Sequence, residues 1–217
     1  MSLFSLILSN LKHYRKAYLA ILTGTVISTA VLTGALVVGD SVRYSLAQLT
    51  EVRLGKTRFA IEGGDRFFRQ QLATELTHHT KIAVAPVLQF DGIAVNSDKN
   101  VHLNRVEVAG IDARFMALWD TRIEPPREDE AVLSSNTAEK LHLKPGNEFI
   151  LKIRKQSKAS ENAPFVSEKE PFIAFRVTVS AIANDRQMGR FSLKSNQSAP
   201  FNVFINLSGM ARRLEMR

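Results

Sequence analysis

The side chains able to carry chemistry in this chain are few and scattered. His78 and His79 form the one histidine pair, but neighbours on a helix point about 100° apart and do not easily grip one ion together, so a solvated helix end is their expected role. Glu128, Asp129 and Glu130 lack the D-x-D-x-D-G spacing that arranges carboxylates around calcium, and read as a solvated loop. Arg186, Arg190 and Lys194 could attract anionic lipid or an acidic partner, although a solvated basic loop is the simpler expectation. Asn196-Gln197-Ser198 and Asn206-Leu207-Ser208 match the glycosylation sequon, which matters only in a eukaryotic secretory setting. The chain contains no G-x-x-x-x-G-K-[ST] phosphate loop, no G-x-S-x-G elbow and no H-E-x-x-H metal helix. It has no cysteine, hence no disulfide, thiolate metal site or thiol nucleophile. Catalytic, cofactor-binding and metal-ligating residues are therefore assigned to none of these positions, and neither enzyme activity nor a cofactor is expected.

The elements that surround these residues begin with a strong asymmetry. The 217 residues are 45% hydrophobic and 23% charged, which excludes a wholly disordered chain. Of the net charge of +8, three charges come from Lys12, Arg15 and Lys16, and the rest is diffuse. Phosphate recognition needs Lys and Arg gathered on one face, so no nucleic acid partner is expected. Residues 17–39 contain no ionisable side chain except the Tyr18 phenol. As a helix they reach roughly 34 Å, enough for a hydrocarbon core about 30 Å thick. Their many β-branched residues disfavour a helix in water, but in lipid each backbone group must be satisfied within the segment, and helix wins.

A cleaved signal peptide is the competing reading; the long apolar run, the abrupt stop at Asp40 and Arg43 and the lack of a clean A-x-A site oppose it. Lys12, Arg15 and Lys16 precede the span without an acidic residue, whereas Asp40 balances Arg43 after it, so the N-terminus is expected inside and residues from about 40 onward outside. Gly24 with Ser28, Ala30 with Gly34, and Ala35 with Gly39 place small residues at the spacing used for close helix packing in lipid. Residues 1–16 carry a broad apolar face (Leu3, Phe4, Ile7, Leu11) and read as an interfacial elbow.

Beyond the span, residues 40–56 are expected to continue the helix as a stalk that stops at Gly55. Residues 57–217 then alternate between short helices and strands. Strands are expected over 57–61, 82–95, 102–111, 131–133, 148–153, 172–183 and 201–206, with a hairpin across residues 96–100. Helices are expected from an Asp65 cap through Phe67, Phe68, Leu72 and Leu76, from Asp112, from Ser134 or Ser135, and from Ser208. The polar stretches 155–170 and 184–200 lack periodic apolar residues and read as mobile loops. Phe165, Phe172, Phe175, Phe191, Phe201 and Phe204 read as core or loop anchors. The fold class is α+β: one N-terminal transmembrane helix followed by an exported mixed α+β domain.

The elbow and span, then GDSVRYSLAQLTEVRLGKTRFAIEGGDRFFRQQLATEL, VEVAGIDARFMALWD, EAVLSSNTAEKLHLKPGNEFIL and FNVFINLSGMARRLE, together resemble the N-terminal portion of an FtsX-like ABC transporter permease with a MacB-like periplasmic core domain. The likeness covers nearly the whole chain and lies in the order of segments and in phrases such as Gly39-Asp40-Ser41-Val42-Arg43. It implies a bacterial inner-membrane subunit that follows a separate cytoplasmic ABC ATPase and contacts substrate or periplasmic partners outside. Further transmembrane helices or a second copy would complete it. The departure is that such permeases carry three more membrane helices after the outer domain, and no second apolar run of about 18 residues follows Gly39. The core domain is therefore expected to be incomplete at its C-terminus. The alternative is a single-pass anchored binding or structural protein with no ATPase.

Overall fold

The computed structural model describes residues 3–64, 66–119, 121–154, 172–194 and 198–215. The chain divides into two compact units, Met1–Leu49 and Thr50–Arg217, so the second unit begins inside the segment read as a stalk. The Asp65 cap, Phe165, Asn196 and the whole of 155–170 lie outside the described residues.

The first unit is helical. Helix α1 (Leu3–His13) and helix α2 (Arg15–Leu54, whose last residues belong to the second unit) are separated only at Tyr14. No residue of α2 is buried. Its hydroxyls are turned back on its own backbone: Thr23 donates to the Leu19 carbonyl at 2.7 Å, Thr25 to Leu22 at 2.8 Å and Thr29 to Thr25 at 2.7 Å. This is how a threonine-rich helix keeps its polar atoms paired where no water is available.

The second unit is a closed six-stranded barrel in the order β1-β2-β6-β3-β5-β4, formed by β1 (Leu88–Asn96), β2 (Val101–Ile111), β3 (Glu130–Ser134), β4 (Glu148–Arg154), β5 (Phe172–Ala183) and β6 (Asn202–Asn206). The pairs β2–β6 and β3–β5 are parallel and the other four are antiparallel. Each strand of the two parallel pairs runs into a helical turn through a polar residue. Asp112 caps α4 (Ala113–Met116), Ser134 leads into α5 (Ser135–Leu141), Asn184 caps the wide turn Asp185–Gly189 and Asn206 caps α6 (Leu207–Arg213). Asp112, Asn184 and Asn206 accept hydrogen bonds from first-turn helix N–H groups, which ends the strand and starts the turn in one residue. Ser134 differs, because its hydroxyl meets Thr137 at 2.7 Å instead.

Strand alternation builds two cores. Val106, Val108, Leu133, Leu151, Ile153, Val177, Val203 and Ile205 lie in the cluster that fills the barrel, together with Leu141 of α5 and Met210 of α6. The opposite faces of β3 and β6 give Val132 and Phe204 to a second cluster with Phe115, Met116, Trp119, Met188 and Phe191. Strands β3 and β6 are thus buried on both sides, which is why they read as unbroken apolar runs. Where β1 and β2 slip register at Gly92, Arg105 is the extra residue and adopts φ +60. A Cβ on Gly92 would lie 2.8 Å from the Lys152 carbonyl, so the bulge needs glycine there.

The mixed α+β class and the long apolar N-terminal helix agree with the sequence reading; barrel closure was not foreseen. Residues 57–61 are not a strand, because a closed barrel offers no free edge to pair with. Strand β1 starts at Leu88 rather than 82, after Lys81 turns left-handed (φ 57) and Pro86, which lacks an N–H, interrupts any ladder. Helix α3 (Gln71–Thr80) begins after Phe67 and Phe68, which are exposed, and α6 begins one residue before Ser208.

The described part of 184–200 also departs from the expected open loop. The side chain of buried Asn202 donates to the Gly189 and Phe191 carbonyls at 3.1 and 2.7 Å, and Met188 and Phe191 sink into the second core. The apolar residues there are too few for periodicity but are held inward by a side chain from the strand that follows, β6. Of the other phenylalanines, Phe204 is buried, Phe175 and Phe201 are half-buried and Phe172 is exposed.

Candidate functional site

The place where the last turn of α2 meets the barrel, all within the second unit, concentrates the specific contacts. Gly55 ends the helix with φ +55, its N–H bonded to the Glu51 carbonyl at 2.9 Å. The left-handed conformation favours glycine. Its missing side chain also matters: a Cβ there would sit 2.8 Å from the Trp119 ring and 2.9 Å from the Leu118 carbonyl. The next N–H, of Lys56, donates to that same Leu118 carbonyl at 3.0 Å. Trp119 is itself packed with Phe115 and Phe191 at centroid distances of 6.5 and 6.2 Å. The chain leaving the helix is thus laid against the second core.

A polar tie lies alongside. The Arg53 guanidinium donates to the Lys194 carbonyl. The Lys194 ammonium donates to Asp91 Oδ1 at 2.8 Å and lies 4.0 Å from Glu107 Oε1, which also receives the Ser192 hydroxyl at 3.4 Å. Helix end, β1, β2 and the 184–194 segment are joined through one lysine. At this place two buried polar atoms, Thr57 Oγ1 and Trp119 Nε1, have no hydrogen-bond partner among the described residues. Each unmade bond costs about 1–3 kcal/mol and offsets part of the packing that holds the helix end down.

The hydrogen bond that Lys194 donates to Asp91 raises its pKa above the ordinary 10.5; partial burial opposes this, and the fields of Asp91, Glu107 and Glu62 add to it. Because the folded value is raised, the stabilisation is complete below 10.5 and is lost as pH rises through the folded value. Denaturant midpoints measured from about pH 9 to about pH 12 are expected to fall more steeply for the native chain than for Lys194→Met, the difference being small because the pair is exposed. Parallel pH profiles would show that the tie contributes nothing.

The residues singled out by chemistry do not converge. His78 and His79 are exposed at the end of α3 with rings 5.9 Å apart, and among the described residues no group of three His, Asp or Glu side chains could hold a metal. The acidic run is a clasp for α6: Glu128 pairs with Arg212 at 2.7 Å and Asp129 with Arg213, while the Arg213 guanidinium stacks 4.4 Å above Phe175. Asn206 uses its amide oxygen to cap α6 and its amide nitrogen to donate to the Pro126 carbonyl at 3.1 Å, so glycosylation of that nitrogen would disturb the second contact. Arg190 pairs with Asp185 at 2.7 Å, leaving Lys194 as the basic residue tied to the helix end.

Gly55 was legible as a helix stop, but its contact with Trp119 was not, nor was the Arg53–Lys194–Asp91 chain, which joins residues 141 and 103 positions apart. In the first unit, the apolar part of α2 is the one helix among the described residues long and apolar enough to cross a membrane. No glycine of the span meets another group within 4 Å, so the small-residue positions are open. Compared with models of known protein families the chain matches none, and no curated protein matches it either.

Proposed function

We propose that this chain is a membrane subunit resembling an FtsX-like ABC transporter permease, anchored by residues 17–39 with its N-terminus in the cytoplasm and its barrel domain exported. In this reading a separate cytoplasmic ATPase moves the helix, and the barrel domain, MacB-like in the order of its segments, carries the movement to substrate or periplasmic partners. The observation that carries the proposal is the fastening of the last turn of α2 to the barrel through Gly55, Trp119, Arg53 and Lys194. A passive anchor needs only a flexible tether, whereas a transmitter needs a stiff joint at this point. The uncharged, wholly exposed span supports the membrane part of the reading.

Reporter fusions placed after Gly55 should be exported in bacteria, and the mature chain should keep its first residues. Purified chain should hydrolyse no nucleotide, since its sequence contains no G-x-x-x-x-G-K-[ST] phosphate loop. A partner ATPase should co-purify with the intact chain and be lost when Ile7 and Leu11 of α1, both exposed, are changed to Ser. Intrinsic ATP hydrolysis sinks the proposal; export without any ATPase association in the native host leaves a single-pass anchored binding or structural protein.

A further inference from the structure

Lys12, Arg15 and Lys16 stand at i, i+3 and i+4 along the first unit. The Tyr14 N–H bonds the Asn10 carbonyl and the Tyr18 N–H bonds the Tyr14 carbonyl, both at 3.0 Å, so the helical ladder carries across the boundary between α1 and α2. The three cations therefore share one face, within an arc of about 100°. All three are exposed, and they line a concave surface formed by residues 12–17. None is in an ion pair with another described residue. Residues 1–39 contain no Asp or Glu, and Asp40, the first acidic residue, lies roughly 36 Å farther along α2. Like charges at this spacing repel and weaken a helix, and an anion bound among them removes that cost.

The span fixes what lies against this face. With residues 17–39 in hydrocarbon, residues 12–16 stand about 1.5 to 7.5 Å outside it along the axis, within a headgroup layer about 5–7 Å deep. That depth is set by the helix itself and does not depend on any further segment of the chain. Lysine meets a phosphate as a point charge and arginine grips two of its oxygens, so the face suits a phosphodiester with net negative charge. We propose that Lys12, Arg15 and Lys16 form a binding face for the headgroups of anionic phospholipids, of which phosphatidylglycerol is a simple example. A zwitterionic headgroup is a poorer occupant, because its own ammonium offsets the phosphate. Membrane orientation depends on the number of positive charges beside the span, whereas this site depends on the face they occupy. The site rests on the span of the proposed function but not on its ATPase, since Ile7 and Leu11 centre on a face about 110° round the helix from the cations.

The full chain carrying Tyr18→Trp reports the lipid at this level, once the quenching of native Trp119 has been subtracted. It is reconstituted in vesicles of phosphatidylcholine and phosphatidylglycerol, with bromine on the acyl chains of one lipid or of the other. Both leaflets have the same composition, so orientation does not enter. Quenching should show phosphatidylglycerol enriched roughly fivefold to tenfold over its share of the vesicle, and high salt should reduce the preference. Exchanging residues 10 and 12 (Asn10→Lys with Lys12→Asn) keeps the net charge and moves one cation to the far side of the helix. The exchange should cut the preference roughly threefold to fivefold. Equal quenching by the two lipids would overturn the site and leave the cations to an acidic protein surface. An unchanged preference after the exchange would overturn it too, by reducing the effect to bulk charge. Extraction of the chain by alkaline carbonate would refute the span itself, whereas retention through that wash without lipid preference refutes this site alone.

Discussion

Phe115→Ala is expected to cost the barrel domain about 3–5 kcal/mol. The ring is 1% exposed and lies at the centre of the second core, with Phe191 edge-on at 4.9 Å, Phe204 at 6.2 Å and Trp119 at 6.5 Å. Truncation would empty the space between α4, the back of β6 and the 184–194 segment. Set against a usual total stability of about 5–15 kcal/mol, the loss is large enough to leave much of the domain unfolded when warmed. Denaturant titration of the detergent-solubilised chain, followed by emission of its single tryptophan, checks this. A loss below about 1 kcal/mol would mean that the second core is not a cooperative part of the domain.

Gly55→Val is expected to cost about 3 kcal/mol or more, and to act at the joint between α2 and the barrel. Two effects add: a β-branched residue forced to φ +55, and a side chain placed within 2.9 Å of both the Trp119 ring and the Leu118 carbonyl. The carbonyl is backbone and cannot swing aside, so either the helix end or Trp119 must shift. Trp119 emission should therefore move towards that of a solvated indole even where the barrel remains folded. Gly55→Ala should show a smaller shift of the same sign, because it meets the same contacts with fewer atoms. If the proposed transmission holds, both variants should keep membrane insertion and ATPase association while losing coupling between them and the exported domain. Unchanged emission in Gly55→Val would show that the helix end is not held against the second core.

What the sequence alone determined is what depends on near neighbours. The uncharged stretch 17–39 is a helix because its length and lack of charge are local facts, and the stop at Gly55 follows from one residue without a Cβ. Strands β2, β4 and β5 keep the bounds read from their alternation to within one residue, and Asp112 caps α4 as its position before an apolar turn implies. The absence of a phosphate loop, metal helix or thiol is likewise complete in the sequence. Tertiary structure decided everything that needs a partner from another element. Residues 57–61 have the composition of a strand, but pairing requires a free edge, and closure of β1 against β4 removed it. Residues 184–194 have the composition of a loop, but Asn202 binds two of their carbonyls and draws Met188 and Phe191 inward. Lys194 reads as one more solvated cation until the fold sets Asp91, Glu107 and the Arg53 donor around it. Periodicity records which way a side chain faces along its own element; which element lies opposite is set by chain closure well beyond that element, and no local pattern carries that information.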